Sequence, residues 1–246
     1  MYSNFYIFKY SAIMVIIVAA LLSTAAMLLK PAQDRNLEIE KMKSILASAN
    51  IEVTTENAIE LYKKHITKEI VLNPEGKQID LYENGEFIDG DKRAFDINLK
   101  KQLYRKKNNE SFQLPLFVCK KGSENIFIIP LLGKGLWGPV WGNIALKNDF
   151  NMVEGVTFGH KAETPGLGAE IDTKDFQKQF IGKKIFNNSG EFTSIKIVKG
   201  GIDLLPQDLK IHGVDAISGG TITSNAVADM LNNNLSSYVP YFKKHK

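Results

Sequence analysis

The chain has 246 residues, 44% of them hydrophobic and 24% charged, with a formal net charge of +4. Such proportions exclude a wholly disordered chain and a polytopic membrane protein. The small, dispersed charge excess, with no basic stripe interleaved with aromatics, excludes nucleic acid as a partner. One cysteine, Cys119, rules out an intramolecular disulfide and an all-cysteine metal or iron–sulfur site. The four histidines (His65, His160, His212 and His245) lack zinc spacing, so no metal site is expected.

From Ser11 to Leu29 there is no charged residue. At about 1.5 Å per residue this run extends about 28 Å, close to the thickness of a bilayer core. Tyr2, Phe5, Tyr6, Phe8 and Tyr10 precede it, as aromatic rings do at a membrane interface. A cleaved signal peptide would have a shorter apolar core ending at a small-residue site. Here the run continues through Ala25-Ala26 into Met27-Leu28-Leu29, so residues 11–29 are predicted to be a retained transmembrane helix. Lys9 precedes the span while Lys30, Arg35, Lys41 and Lys43 follow it, diluted by Asp34, Glu38 and Glu40. A plain positive-inside count keeps the large part in the cytoplasm, but long domains obey that count poorly, and composition leaves the side open.

After Pro31 the sequence turns polar. Met42, Ile45, Leu46 and Ala49 predict a helix over Asn36–Ala49. A second helix is expected from Glu56 to Ile66, capped by Thr54 or Thr55 and burying Ile59, Tyr62 and Ile66. Short strands are expected at Gln78–Tyr82, Gln113–Cys119, Asn125–Pro130, Trp141–Asn148 and Ser194–Val198. Asn73-Pro74-Glu75-Gly76 and Glu83-Asn84-Gly85 read as turns flanking the first of these. The last helix runs from about Thr223 to Leu235, with Val227, Met230, Leu231 and Asn234 on one stripe. The class is α+β.

Three glycine-rich segments can carry chemistry. In Asp215-Ala-Ile-Ser-Gly-Gly-Thr-Ile-Thr-Ser-Asn225, two glycines allow a tight turn and hydroxyl residues open a helix whose free N–H groups suit a phosphate. The same residues also suit an ordinary turn in which Thr223 or Ser224 caps the helix. His160-Lys-Ala-Glu-Thr-Pro-Gly-Leu-Gly-Ala-Glu170 exposes backbone and one leucine, as a ring-binding loop or a plain surface loop would. His160 and Glu163 have no nucleophile near them in sequence, which makes an acid–base pair weak. Gly133-Lys-Gly-Leu-Trp-Gly-Pro-Val-Trp-Gly142 suits an aromatic slot or a tight turn before a strand.

In combination and in this order, four features carry a resemblance: the anchor, Gly-Lys-Gly-Leu-Trp-Gly, Glu-Thr-Pro-Gly-Leu-Gly and the Asp215–Asn225 segment. Together they resemble the family of the C subunit of Na+-translocating NADH:quinone reductases, which carries the FMN-binding domain. The family pattern Asp-x-x-Ser/Thr-Gly-Ala-Thr holds FMN by a phosphoester to its last threonine, which corresponds to Thr221. The chain departs from it in placing Gly220 where alanine is usual, which leaves the backbone looser, and Thr223 is a rival acceptor two positions on. The resemblance implies a separate Mg2+-dependent flavin transferase that moves FMN from FAD. Asp215, Ser218, Gly219 and Gly220 belong to the segment it reads, and Trp137, Thr164, Gly166 and Leu167 are the expected ring contacts.

It further implies an electron-transfer protein with no activity alone, passing electrons towards a second covalent FMN in the B subunit and lying beside the D and E membrane subunits. The expected layout is a short cytoplasmic N-terminus (residues 1–10), the span (11–29), a membrane-proximal α+β region (30–132) and an FMN-binding domain (133–246). That domain would be mixed α/β and periplasmic, anchored through lipid in the bacterial inner membrane. Two other readings stand beside this one. The first is the G subunit of an Rnf-type ferredoxin:NAD oxidoreductase, which shares the covalent FMN motif; the second is a cofactor-free membrane-anchored scaffold.

Overall fold

The computed structural model describes residues 3–245, so Tyr2, one of the expected interface aromatics, and Lys246 lie outside it. It divides into two units, the first ending at Lys41 and the second starting at Met42. Helix α1, Asn4–Ser48, belongs to both. In the first unit its most apolar stretch has a mean hydropathy of 2.7 and none of it is buried by protein. A helix apolar on every side finds its apolar surroundings in lipid, and the length and composition suit one membrane crossing. The separate helix expected from Asn36 is instead the continuation of this one, with Pro31 inside it. A proline costs a helix one N–H, and strong helix formers on both sides, aided by a Lys30–Asp34 pair at 3.2 Å, carry the turn through.

The second unit is built on one antiparallel sheet in the order β3-β2-β1-β4-β5-β6-β7. Its strands are β1 (Ile66–Leu72), β2 (Gln78–Glu83), β3 (Glu86–Asp89), β4 (Leu114–Lys121), β5 (Glu124–Lys134), β6 (Pro139–Leu146) and β7 (Val153–His160). Both faces are covered, which is why β4 is apolar without alternation over Leu114–Cys119. Leu116 and Val118 face one core with Ile129, Ile144, Val227, Leu231 and Phe242. Phe117 and Cys119 face the other with Ile45, Leu46, Tyr62 and Phe95. The second core includes the end of α1 from Met42 onward and α2 (Ala58–His65). Thr54 and Thr55 do not cap α2: its N-cap is Asn57, whose side chain accepts instead from the Thr54 amide. Ile66 starts β1 rather than ending the helix.

The β2–β3 turn follows expectation, with Asn84 (φ +49°) and Gly85 (φ +99°) supplying the left-handed pair that a two-residue hairpin needs. Strands β1 and β7 and helix α3 (Leu99–Lys107) have no counterpart among the expected elements. The expected division at residues 132/133 falls within β5, and the sheet runs through it uninterrupted.

After β7 come the short α4 (Lys174–Lys178), a parallel pair of β8 (Lys196–Val198) and β9 (Gly213–Asp215), then α5 (Thr221–Leu235) and α6 (Val239–His245). Helix α5 lies against β5. Gly133 makes that approach possible, because a Cβ there would stand 2.8 Å from Met230 Cβ. The Asn234 amide donates to the Leu132 carbonyl at 3.0 Å, fixing the helix along the strand.

Candidate functional site

Three connections end on the same side of the sheet. The β5–β6 turn closes through a 2.7 Å bond from the Gly135 amide to the Gly138 carbonyl, leaving Leu136 and Trp137 exposed at its tip. The loop after β7 turns at Thr164–Gly166, where the Thr164 carbonyl accepts from the amides of Leu167 and Ala169. The β9–α5 connection turns at Gly219, whose φ of +72° is open to glycine at little cost. Between them lies a cleft of about 290 Å³ lined by Trp137, Thr164, Leu167, Gly219, Gly220, Thr221 and Thr223, together with Leu136, Glu163, Gly168 and Ile222. A larger cleft, about 520 Å³, lies between residues 50–53, β7 and α4 and contains none of these residues.

Glu163 ties the three connections together. Its side chain is buried; one oxygen accepts the Trp137 amide at 2.9 Å and the other accepts the Thr223 hydroxyl at 2.6 Å. Two glycines leave room for that carboxylate: a Cβ on Gly135 would stand 2.6 Å from one oxygen, and a Cβ on Gly168 would stand 2.7 Å from the other. The Glu163 amide donates to His160 Nδ1 at 3.1 Å, which sets the loop's starting direction. Burial raises the carboxyl pKa, but the Thr223 hydroxyl, the amides of Trp137 and Leu136 and the nearby His160 outweigh it and hold Glu163 below the ordinary carboxylate value.

Thr221 is the first residue of α5 and Gly220 its N-cap. The amides of Thr221, Ile222 and Thr223 have no partner within the helix and carry the positive end of its dipole, which suits a phosphate. Neither Thr223 nor Ser224 is the cap. Thr223 is turned inward to Glu163, and Ser224 Oγ accepts the Ile217 amide at 3.1 Å, closing the turn from inside the helix. Nor is the turn loose at Gly220. That residue is buried, its amide donates to the Ile217 carbonyl at 3.0 Å, and a Cβ on it would stand 2.9 Å from Ile217 Cγ2. Ile217 fills the space that an alanine would take.

Three of the expected site residues lie outside the cleft lining. Asp215 ends β9, where its carboxylate accepts the Ile202 amide at 2.7 Å and braces the 199–202 turn. Ser218 is exposed in the turn, and Gly166 (φ +74°) shapes its loop with open space around it. Among the lining residues, Glu163, Leu136, Gly168 and Ile222 were not expected. Glu163 had no visible partner because the hydroxyl it meets is 60 positions away in sequence. The cleft joins apolar side chains, with Leu136, Trp137, Leu167 and Ile222 between 42% and 64% exposed, to a helix N-terminus. That donor set fits FMN: flat apolar walls for a ring, free amides for its phosphate and a hydroxyl in Thr221.

The family model described as the FMN-binding domain matches residues 135–236, which span all three connections. The chain is 33% identical to the C subunit of Na(+)-translocating NADH-quinone reductase from Vibrio anguillarum, over 86% of this chain and 82% of that protein. To the C subunit from Haemophilus ducreyi it is 31% identical, over 94% and 90%. The crystal structure of the C subunit from Parabacteroides distasonis superposes with a TM-score of 0.74 at 39% identity, covering 87% of this chain and 96% of that one. Shewanella oneidensis NqrC shares the fold, with a TM-score of 0.66 at 23% identity, over 84% and 98% of the two chains. The chain belongs to the family of C subunits of the Na+-translocating NADH-quinone reductases.

Proposed function

We propose that the chain is the electron-transfer subunit of a Na+-translocating NADH:quinone oxidoreductase and carries FMN as a phosphoester on Thr221. The observation that carries this reading is the meeting of Trp137, Leu167 and Thr221 around one cleft at the start of α5. The relatives bear the quinone-reductase name, which supports this complex over an Rnf-type one.

Covalent attachment would proceed by attack of Thr221 Oγ on the FMN phosphorus of FAD, held by a flavin transferase. The threonine O–P bond forms, the pyrophosphate P–O bond breaks with AMP as leaving group, and the hydroxyl proton passes to a base of the transferase. Thr221 is half-buried at the cleft rim, so its hydroxyl can be presented without unfolding α5. The first-turn amides of α5 then stabilise the phosphodiester charge that remains. Bound FMN supplies the redox chemistry, which no side chain of this cleft offers. The exposed Leu136, Trp137 and Leu167 hold the ring at the surface, open to a neighbouring protein, rather than enclosing it.

In this reading α1 crosses the inner membrane once and places the sheet domain on the periplasmic side. The B subunit, with the second covalent FMN, and the D and E membrane subunits are the neighbours. Peptide mass spectrometry of the full chain co-produced with a flavin transferase tests the assignment. The expected result is an increase of one FMN less water on the peptide containing Thr221. An unmodified chain, in cells whose transferase flavinylates another substrate, would overturn it.

A further inference from the structure

The start of α5 offers two threonine hydroxyls two residues apart, and only one is open. Thr223 is 2% exposed and donates its single proton to Glu163 at 2.6 Å. On the other side, the backbone at Gly168 is so close that a Cβ there would stand 2.3 Å from Thr223 Oγ. A hydroxyl oxygen that attacks phosphorus must give up its proton and accept a tetrahedral group in the space around it. At Thr223 that space is filled by Glu163 and Gly168, so the oxygen has no room for a tetrahedral group even though a carboxylate stands ready to take its proton. Thr221 is half-buried and lines the same cleft, while the two Glu163 oxygens are taken by Thr223 and Trp137. Glu163 and Thr223 themselves form part of the cleft wall, so shortening Glu163 would extend the cleft to the Thr223 hydroxyl.

We infer that Glu163 is a specificity-determining residue for flavinylation: by holding the Thr223 hydroxyl out of the cleft, it confines the phosphoester to Thr221. This rests on the reading of Thr221 as the FMN acceptor. The transferred group, the FAD donor and the AMP leaving group are those of that reaction, in which Glu163 forms no bond. It acts through Thr223, as a positioning residue.

The test uses the full chain co-produced with a flavin transferase, digested and sequenced by mass spectrometry so that Thr221 and Thr223 are resolved. Thr221→Ala should carry no FMN, although Thr223 is intact two positions away. Thr221→Ala with Glu163→Ala should regain FMN, now on Thr223. Glu163→Ala alone should divide the label between both threonines. If the alanine variants fail to fold, Glu163→Asp in the Thr221→Ala background serves instead, since it keeps the charge but draws the carboxylate back by one methylene. FMN on Thr223 in the Thr221→Ala variant would overturn the inference. So would a folded double variant that stays unlabelled, because acceptor choice would then depend on sequence spacing alone. An unlabelled wild-type chain beside an active transferase is a separate result and defeats the underlying reading.

Discussion

The Thr223 hydroxyl donates to the Glu163 carboxylate across 2.6 Å, and this contact joins a loop after β7 to a helix that begins 58 residues later (221 − 163). Both groups are buried, and the same carboxylate holds the Trp137 amide of a third segment. The cleft is therefore assembled around one anion.

That anion makes the domain sensitive to acid in a defined direction. Glu163 is held below the ordinary carboxyl value, so its contribution is fully present above about pH 4.5 and is lost as pH falls through its folded-state value. Thr223→Val removes the leading hydrogen bond that lowers it and should cost about 1–3 kcal/mol near pH 7. The gap between wild type and variant should narrow below about pH 4.5, as urea unfolding across about pH 3–7 would show. An equal gap at every pH would mean that the carboxylate charge plays no part.

Two glycines of one loop should respond unequally to added volume. A Cβ on Gly166 meets nothing within 4 Å, so Gly166→Ala should cost only the strain of φ +74°, about 1 kcal/mol. Gly168→Ala would drive a methyl into Thr223 Oγ and the Glu163 carboxylate and should cost about 3 kcal/mol. Thermal melts of the two variants give the order directly. A larger loss for Gly166→Ala would contradict the packing described.

Away from the cleft, buried Glu69 accepts from the Arg93 guanidinium, the Tyr62 hydroxyl and the Phe95 amide. Arg93 also lies over the Tyr82 ring at 4.5 Å. Removing the cation leaves a buried carboxylate with only neutral donors, so Arg93→Ala should destabilise by about 3 kcal/mol. Replacing both partners, as Arg93→Met with Glu69→Gln, should recover more than half of that loss in denaturant unfolding.

Of the two tryptophans, Trp137 lines the cleft, while Trp141 lies on β6 with its indole against Gly159. Flavin loading should therefore quench Trp137 fluorescence more than that of Trp141. Comparing Trp137→Phe and Trp141→Phe before and after flavinylation reads each indole alone. Stronger quenching of Trp141 would move the ring away from the cleft. Leu167→Lys should shift the flavin midpoint potential, and an unchanged potential would remove Leu167 from contact.

Cys119 is fully buried, and burial pushes its thiol pKa up to about 12, so thiol reagents should leave the folded chain unlabelled. It is unsuitable as a native topology probe. With Ser189→Cys, an exposed position, a membrane-impermeant maleimide should label whole cells whose outer membrane has been permeabilised. Labelling only after the inner membrane is broken would put the domain on the cytoplasmic side.

Local pattern was enough for the apolar run of α1, the stripe of α5 and the turn at Asn84-Gly85, because each depends on neighbours a few positions away. The three glycine-rich segments were equally visible, since glycine marks a backbone requirement where it stands. Strand β7 was not visible: Glu154, Thr157 and the glycines at 155 and 159 interrupt its apolar residues, and its pairing with β6 supplies the order that its own residues lack. Asp215 looked like part of the site because it belongs to the motif, yet its carboxylate is spent on the Ile202 amide. What only the tertiary structure decided is which hydroxyl is free. The motif spacing favours Thr221 and leaves Thr223 as a rival two positions on, and which of the two hydroxyls is open depends on a carboxylate that folding brings from 60 residues away. Contacts of that kind leave no periodicity behind, because neither partner's neighbours have to change for the bond to form.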